Sequence, residues 1–438
     1  MSSSSRFRSV LLPCFLAWCT LAPATPRSST GSDGLTLKLP ATLDGDVAVE
    51  RARASLSAAL APLRTSLVVD VHIDPAQREL VPDGFALRGA TTSLSAEVLA
   101  RDTRGAIYAL GELARLVRLG RWRPGAELEL RRNPAFETRF CSLHDNPGEA
   151  PFDTRFRDPA VVLDLGFNGM IVHGIAGLCT YDAFDARIYP ADAPERAQVL
   201  AARARVKELV TRAKANHLLV FLNGDELSIP KRAVELYGRA VLSEPEPNGV
   251  RPISATKPKS KALVRATFEE IVKLFPEVDG YQIRMGEVYT QSEPMLAGNV
   301  PAKGDDETNS GMSREAKLRS VIATISDVVC RANAKRLNVR VWGYYDSAHA
   351  VPERYRELTD SIEPSPLLTF SFKQVKTDYW RWNPVNPNFG DGRHGQWAEF
   401  QMAREYEGKG AFPNYLGRYF ADGPTEIAPS GGLAAVPP

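Results

Sequence analysis

Asp378 and Glu405 are the acids around which the rest of the chain can be read. Asp378 follows a strand-like run, Leu367–Phe372, and the lysines Lys373 and Lys376, and it precedes the aromatics Tyr379, Trp380 and Trp382. Glu405 follows a second strand-like run, Trp397–Met402. Two carboxylates placed just past the ends of successive strands are what hydrolysis of a glycosidic bond requires. Rings and amide side chains beside them suit a sugar, which has apolar faces and hydroxyl rims. Taken singly, either acid is more simply a solvated loop carboxylate paired with a nearby lysine or arginine. Their position at the ends of successive strands is what weakens that simpler reading.

The elements that must position these acids recur along the chain. From about Phe136 a strand, loop, helix pattern repeats, with strands at Thr138–Leu143, Gly169–Val172, Leu218–Leu222, Gly280–Met285 and Val339–Trp342 ahead of the two already named. Helical periods separate them at 158–165, 194–216, 262–274, 313–334 and 352–362. Seven strands of parallel character alternating with helices argue an α/β fold, a (β/α)₈ barrel of TIM type with about seven units visible. No eighth strand is legible after Glu405. In such barrels the site lies at the C-terminal ends of the strands. That rule brings His144, Asp145, Asn146, Asn223, Asp225, Glu287, Tyr344, Tyr345, Asp346 and Lys373 to one mouth with Asp378 and Glu405. Two long connections, 225–261 and 288–313, open on the same side and exceed the usual loop length, which favours contact with substrate.

Ahead of the barrel, residues 35–130 read as a small α/β accessory domain. Its strands fall near 35–39, 66–73, 84–88 and 95–100, and its helices at 47–63 and 104–119. Residues 25–34 are rich in Ser, Thr, Pro and Gly and read as a linker. Residues 1–24 have the form of a secretory signal, with Arg6 and Arg8, the apolar stretch Val10–Leu21 and Ala22-Pro23-Ala24 as a cleavage site. The expected location is therefore periplasmic or extracellular, with no membrane span in the mature chain. The barrel domain spans 131–425, and 426–438 reads as a loop-like tail.

Charge excludes other classes. The 438 residues carry 54 basic and 52 acidic side chains, a net of +2, without the basic patch that a nucleic-acid partner would require. Past the leader only Cys141, Cys179 and Cys330 remain; their spacing is neither a disulfide framework nor a metal motif, and they read as small core residues. None of the six histidines shows ligand spacing, so no metal and no cofactor are expected.

Three segments resemble the α-glucuronidases of glycoside hydrolase family 67, and the likeness runs from about residue 40 to 425. The first is Pro276–Glu287, PEVDGYQIRMGE; the second is Lys373–Gly390, KQVKTDYWRWNPVNPNFG; the third is Ala398–Gly408, AEFQMAREYEG. The resemblance implies Glu287 as general acid and Asp378 and Glu405 as the carboxylates that activate water. It implies Arg284 and Lys373 as cations that meet a uronate, Trp342 beside the sugar, and His144-Asp145-Asn146 as a sugar-binding turn. The activity implied is inverting removal of terminal α-linked (4-O-methyl)glucuronic acid from xylan-type oligosaccharides, so an acidic oligosaccharide is the expected partner. The chain departs from the family at Gly343, where an arginine is usual, at His144, where a tryptophan is, and at Asn383, where an acid is. The family's C-terminal helical region has no counterpart here. Two other readings stay open: a retaining, hexosaminidase-like glycosidase, and a catalytically degenerate carbohydrate-binding barrel.

Overall fold

The computed structural model describes residues 27–30, 34–142, 157–225, 227–286, 295–298, 304–343, 346–379 and 383–401. The chain divides into two compact units, Met1–Pro134 and Ala135–Pro438.

The first unit is a six-stranded sheet. Its strands are β1 (Arg27–Thr30), β2 (Leu35–Leu39), β3 (Leu67–Ile73), β4 (Phe85–Gly89), β5 (Ser95–Ala100) and β6 (Leu128–Arg132), in the order β1-β2-β3-β5-β4-β6. The parallel ladders β2–β3 and β3–β5 form its centre. Two helices accompany it, α1 (Val47–Leu60) and α2 (Thr103–Arg118). Both start where the sequence supplies a cap. The Asp46 carboxylate accepts from the backbone N–H groups of Ala48 and Val49, and the Asp102 carboxylate accepts from Gly105, satisfying donors that a helix start leaves without partners. On α2 the buried residues Ile107, Leu110, Ala114 and Val117 recur at helical spacing. Strand β6 and the strand β1, which falls inside the expected linker, have no counterpart in the sequence reading. Both are short edge elements.

The second unit holds the barrel strands β7 (Phe140–Ser142), β8 (Gly169–His173), β9 (Leu219–Asp225), β11 (Gly280–Met285), β13 (Arg336–Val341), β14 (Leu368–Lys373) and β15 (Gly395–Glu399). They pair in chain order, every ladder parallel. The seven expected strands are therefore all present, as a curled parallel sheet equivalent to an incomplete (β/α)₈ barrel. Between them run α3 (Pro159–Asp164), α4 (Asp182–Asp185), α5 (Pro194–Ala215), α6 (Lys231–Tyr237), α7 (Pro258–Leu274), α8 (Arg314–Ser326) and α9 (Pro352–Thr359). Four of these, α3, α5, α7 and α9, open on a proline, where its fixed φ helps and its missing N–H costs nothing.

Strand alternation decides which side chains face the interior. The Phe140 ring of β7 stacks on Trp397 of β15, 5.2 Å between centroids, and meets Phe221 of β9 at 4.8 Å. Rings from the first, third and seventh strands can touch only inside the curl. Side chains opposite them in the ladders share that face, and those between them point out to the helices. Accordingly Tyr281 of β11 packs on Phe268 of α7, and Phe370 and Phe372 of β14 pack on Tyr355 of α9. Glycine makes room for the interior rings. A Cβ on Gly280 would lie 2.6 Å from the Phe221 ring and 2.7 Å from the Arg336 carbonyl oxygen. Gly280→Ala is therefore expected to destabilise the barrel unit by about 1–3 kcal/mol through overpacking. A lower urea midpoint with an unchanged slope would register this, and an unchanged midpoint would refute it.

The two long connections carry structure of their own. A short antiparallel ribbon joins β10 (Ser228–Pro230) to β12 (Leu296–Gly298), and α6 follows β10 directly. Asp306 accepts from Ser243 and Thr308 and ties the second connection to the first.

Candidate active site

Two tiers of polar side chains lie above the aromatic floor of the barrel. The lower tier is made of amides and hydroxyls. Asn338 of β13 accepts from Gln282 of β11 at 2.9 Å and from Ser371 of β14 at 2.8 Å, and donates to Thr369 at 3.0 Å. The ladder places Gln282, Asn338 and Thr369 opposite one another on the inward face, and Ser371, two residues after Thr369, shares that face.

The upper tier is charged and sits at the C-terminal ends of the strands. Arg284 of β11 donates to Asp225 of β9 through Nε (2.9 Å) and Nη2 (2.7 Å). Arg340 of β13 grips Glu399 of β15, Nε on one carboxylate oxygen and Nη2 on the other at 2.9 Å. Lys373 of β14 pairs with Asp378 at 2.7 Å. Both members of this last pair are buried, 5% and 7% exposed, so their charges face each other and not bulk water. The ammonium of Lys373 also lies 3.5 Å from the centre of the Trp342 ring and 4.7 Å from that of Tyr379, a cation held between two π faces.

The backbone around Asp378 is held from several sides. Its carboxylate accepts the Tyr379 backbone N–H at 3.0 Å, and its carbonyl accepts the Asn383 amide. Beyond it the chain doubles back. Val375 bridges Val385, and Asn386 and Asn388 donate to the carbonyls of His349 and Ala348, tying the loop after β14 to the loop after β13. His349 is fully buried against Trp342 at 4.8 Å. Its Nδ1 meets the Val341 carbonyl at 3.2 Å, which fixes that nitrogen as the donor and leaves Nε2 to accept from Asn386 at 3.4 Å. Burial, with the Lys373 charge adding to it, brings the imidazole down to about 4. It is therefore neutral at physiological pH.

Glu399 is held differently. Burial opposes its ionisation, but the Arg340 guanidinium, with Lys373 and the Tyr379 hydroxyl, outweighs burial and keeps the carboxyl far below its usual range. The Tyr379 hydroxyl donates to it at 2.5 Å, and burial pushes that phenol well up, so it remains protonated.

Of the residues expected at the site, Asn223, Asp225, Arg284, Trp342, Lys373 and Asp378 lie in the described part with buried side chains at the mouth end, whereas Asp346, also described, is exposed and pairs with Arg314. Lys373 is brought into direct contact with Asp378 and with Trp342; Arg284 stands two strands away on the same tier. His144, Asp145, Asn146, Glu287 and Glu405 lie outside the described residues, as do Tyr344 and Tyr345. Gly286, immediately before Glu287, has φ of 93°, and a Cβ there would collide with the Trp342 carbonyl; only glycine lets β11 turn away at that point. Sequence reasoning missed Arg340 and Glu399, and saw Tyr379 only as one of the rings beside Asp378. The signal for Arg340 was the alternation in RLNVRV, where polar residues recur every second position in a strand that both faces should bury; in GQWAE the inward row Gly395, Trp397, Glu399 carries a single acid at its end and gives no such signal.

The three cysteines carry no disulfide. Burial pushes Cys141 to about 11 and the Cys179 and Cys330 thiols up as well, so none is a ready thiolate. Among the described residues no cluster of three His, Cys, Asp or Glu could hold a metal ion, and no helix is long and apolar enough to cross a membrane.

No family model matches the chain, and no curated protein matches it. Similar solved structures include a GH138 enzyme targeting pectin rhamnogalacturonan II, at 16% identity and a TM-score of 0.49, covering 77% of this chain and 38% of that one. A GH20 exo-β-N-acetylglucosaminidase from Vibrio harveyi has 12% identity and a TM-score of 0.45, covering 81% and 61%. The N-acetyl-β-hexosaminidase of Streptomyces plicatus has 14% identity and a TM-score of 0.46, covering 83% and 75%. This chain thus spans well under two thirds of the first of these. With TM-scores below 0.5, the barrel assignment rests on the strand ladders themselves.

Proposed function

We propose that the protein is an exported glycoside hydrolase that removes terminal α-linked (4-O-methyl)glucuronic acid from xylan-type oligosaccharides, with inversion. One observation carries the reading. A buried cation, a buried carboxylate and an indole ring meet at the C-terminal end of β14 and β13, in the persons of Lys373, Asp378 and Trp342. A uronate needs these three things: a charge for its carboxylate, a base for the attacking water and an apolar surface for the sugar ring.

In this reading Glu287 protonates the leaving oxygen and needs a raised pKa to hold its proton near neutral pH. Asp378 and Glu405 orient and deprotonate a water on the opposite face of the sugar. Inversion requires acid and base carboxyls about 6.5–9.5 Å apart, leaving room for that water. Lys373 and Arg284 meet the substrate carboxylate, and Asp225 fixes the Arg284 fork. His144, Asp145 and Asn146 bind sugar hydroxyls. The leader expected at 1–24 places the enzyme outside the cytoplasm, where plant polysaccharide fragments are met.

The test is the charge preference. With Lys373→Met, kcat/KM for an α-glucuronosyl substrate is expected to fall about 10- to 100-fold relative to the neutral α-glucosyl analogue, the worth of one charge-assisted hydrogen bond of about 1.5–3 kcal/mol. An unmoved ratio would overturn the uronate reading. Release of N-acetylhexosamine by the wild type would favour the hexosaminidase-like alternative instead.

A further inference from the structure

We infer that Glu399 is a positioning carboxylate which, through the hydroxyl of Tyr379, fixes the backbone amide that orients Asp378. The inference rests on the reading of Asp378 as a water-activating carboxylate and adds a unit to it that the sequence reading did not contain.

The chain of contacts is continuous. Arg340 binds both oxygens of Glu399. One of those oxygens also takes the Tyr379 hydroxyl at 2.5 Å. The backbone N–H of the same Tyr379 donates to the Asp378 carboxylate at 3.0 Å, on the oxygen that receives Lys373 at 2.7 Å. The Tyr379 ring flanks the Lys373 ammonium at 4.7 Å. Tyr379 is thus pinned at its far end by Glu399 while its near end and its face touch the two groups proposed to do the chemistry. Fixing a reacting group through partners that are themselves locked is what preorganisation requires. The ladder makes this geometry available, because Lys373 and Glu399 are direct partners across β14 and β15.

Glu399 is a poor candidate for the base itself. Both of its oxygens are engaged by Arg340 and Tyr379, and the guanidinium holds it ionised and weakly basic. A general base works best with a pKa near the operating pH. Its chemistry is therefore that of a fixed anion that orders its neighbours.

A double-mutant cycle on the full chain tests the inference. Tyr379→Phe keeps the ring and removes only the hydroxyl; Glu399→Gln keeps the shape and removes the charge. Each is expected to lower kcat about tenfold with KM within about twofold of wild type, and the double variant should lose no more than the worse single one. Multiplying losses, losses in KM alone, or no loss in either variant would overturn it. So would a Glu399→Gln variant that is inactive beside a near-normal Tyr379→Phe, since that pattern marks Glu399 as the base. A second readout does not depend on turnover. In protein labelled with ¹⁵N-tyrosine, the Tyr379 amide proton, bonded to a carboxylate, should resonate downfield and move upfield in Glu399→Gln. An amide that stays in place sinks the positioning role even if the substrate is something else. A moved amide in a protein that cleaves no uronoside sinks the functional reading and leaves the positioning role standing.

Discussion

Asp378→Asn is expected to cost hydrolysis about 10²–10⁴-fold in kcat, the usual contribution of a positioned general base. The substitution is nearly isosteric. Its oxygen can still accept the Tyr379 amide and the Lys373 ammonium, so the loop keeps its shape and substrate binding stays within about threefold of wild type. What disappears is the ability to take a proton from water. The comparison that matters is with Lys373→Met, which acts on charge preference while leaving a carboxylate in place. A folded Asp378→Asn protein with a third or more of the wild-type kcat would remove Asp378 from the mechanism. A loss confined to binding would move it from the base to a sugar-contacting role.

Arg340→Met should produce the largest change in stability. It strips Glu399 of the guanidinium that offsets its burial, and breaking a buried pair costs about 3–5 kcal/mol. The Glu399 side chain is 29% exposed, so water screens part of the charge and the loss should fall near about 2–3 kcal/mol. The pH dependence gives the direction. In the wild type, burial opposes ionisation of Glu399 but Arg340 overrides it, so the folded carboxyl titrates below its unfolded value. Its contribution is therefore present above the ordinary carboxylate range, about pH 4.3, and is lost as pH falls toward the depressed folded value. In Arg340→Met burial acts with far less opposition and the sign reverses. The deficit should be greatest at neutral pH and shrink on acidification as Glu399 takes up a proton. Arg340→Met with Glu399→Met should recover most of the loss, since the uncompensated charge is gone. Thermal unfolding between pH 4 and 7 measures this. A deficit that grows on acidification would contradict the assigned pairing.

The barrel was legible because each of its strands carries a compact apolar alternate row and stops at a polar turn. The interior was less so. Strand β13 was read as beginning at Val339, which discarded Arg336 and Asn338 as loop and left Arg340 without a face. Strand β15 was read as Trp397–Met402, whereas it runs Gly395–Glu399; that shift buried Glu399 in mid-strand and hid its place at the mouth. In β13 inward polar residues looked like a break in the pattern, because a parallel strand is expected to be apolar on both faces. The ribbon of β10 and β12 was illegible for another reason. Each strand has three residues, and its partner lies in the other long connection, so no local signal marks it. Lys373 and Asp378 were found because they cluster at strand ends, where position and residue type speak together, and Trp342 through the family resemblance. The sequence could not show that Lys373 touches both of the others.

Inversion at a glucuronosyl centre is the central claim, and proton NMR of the first product tests it most directly. The purified protein would be incubated with an aldouronic oligosaccharide and the released sugar observed before mutarotation. The account predicts β-(4-O-methyl)glucuronic acid as the initial product, with the α anomer growing in later. Initial release of the α anomer would contradict inversion, and a folded protein that leaves the uronic acid in place would contradict the substrate.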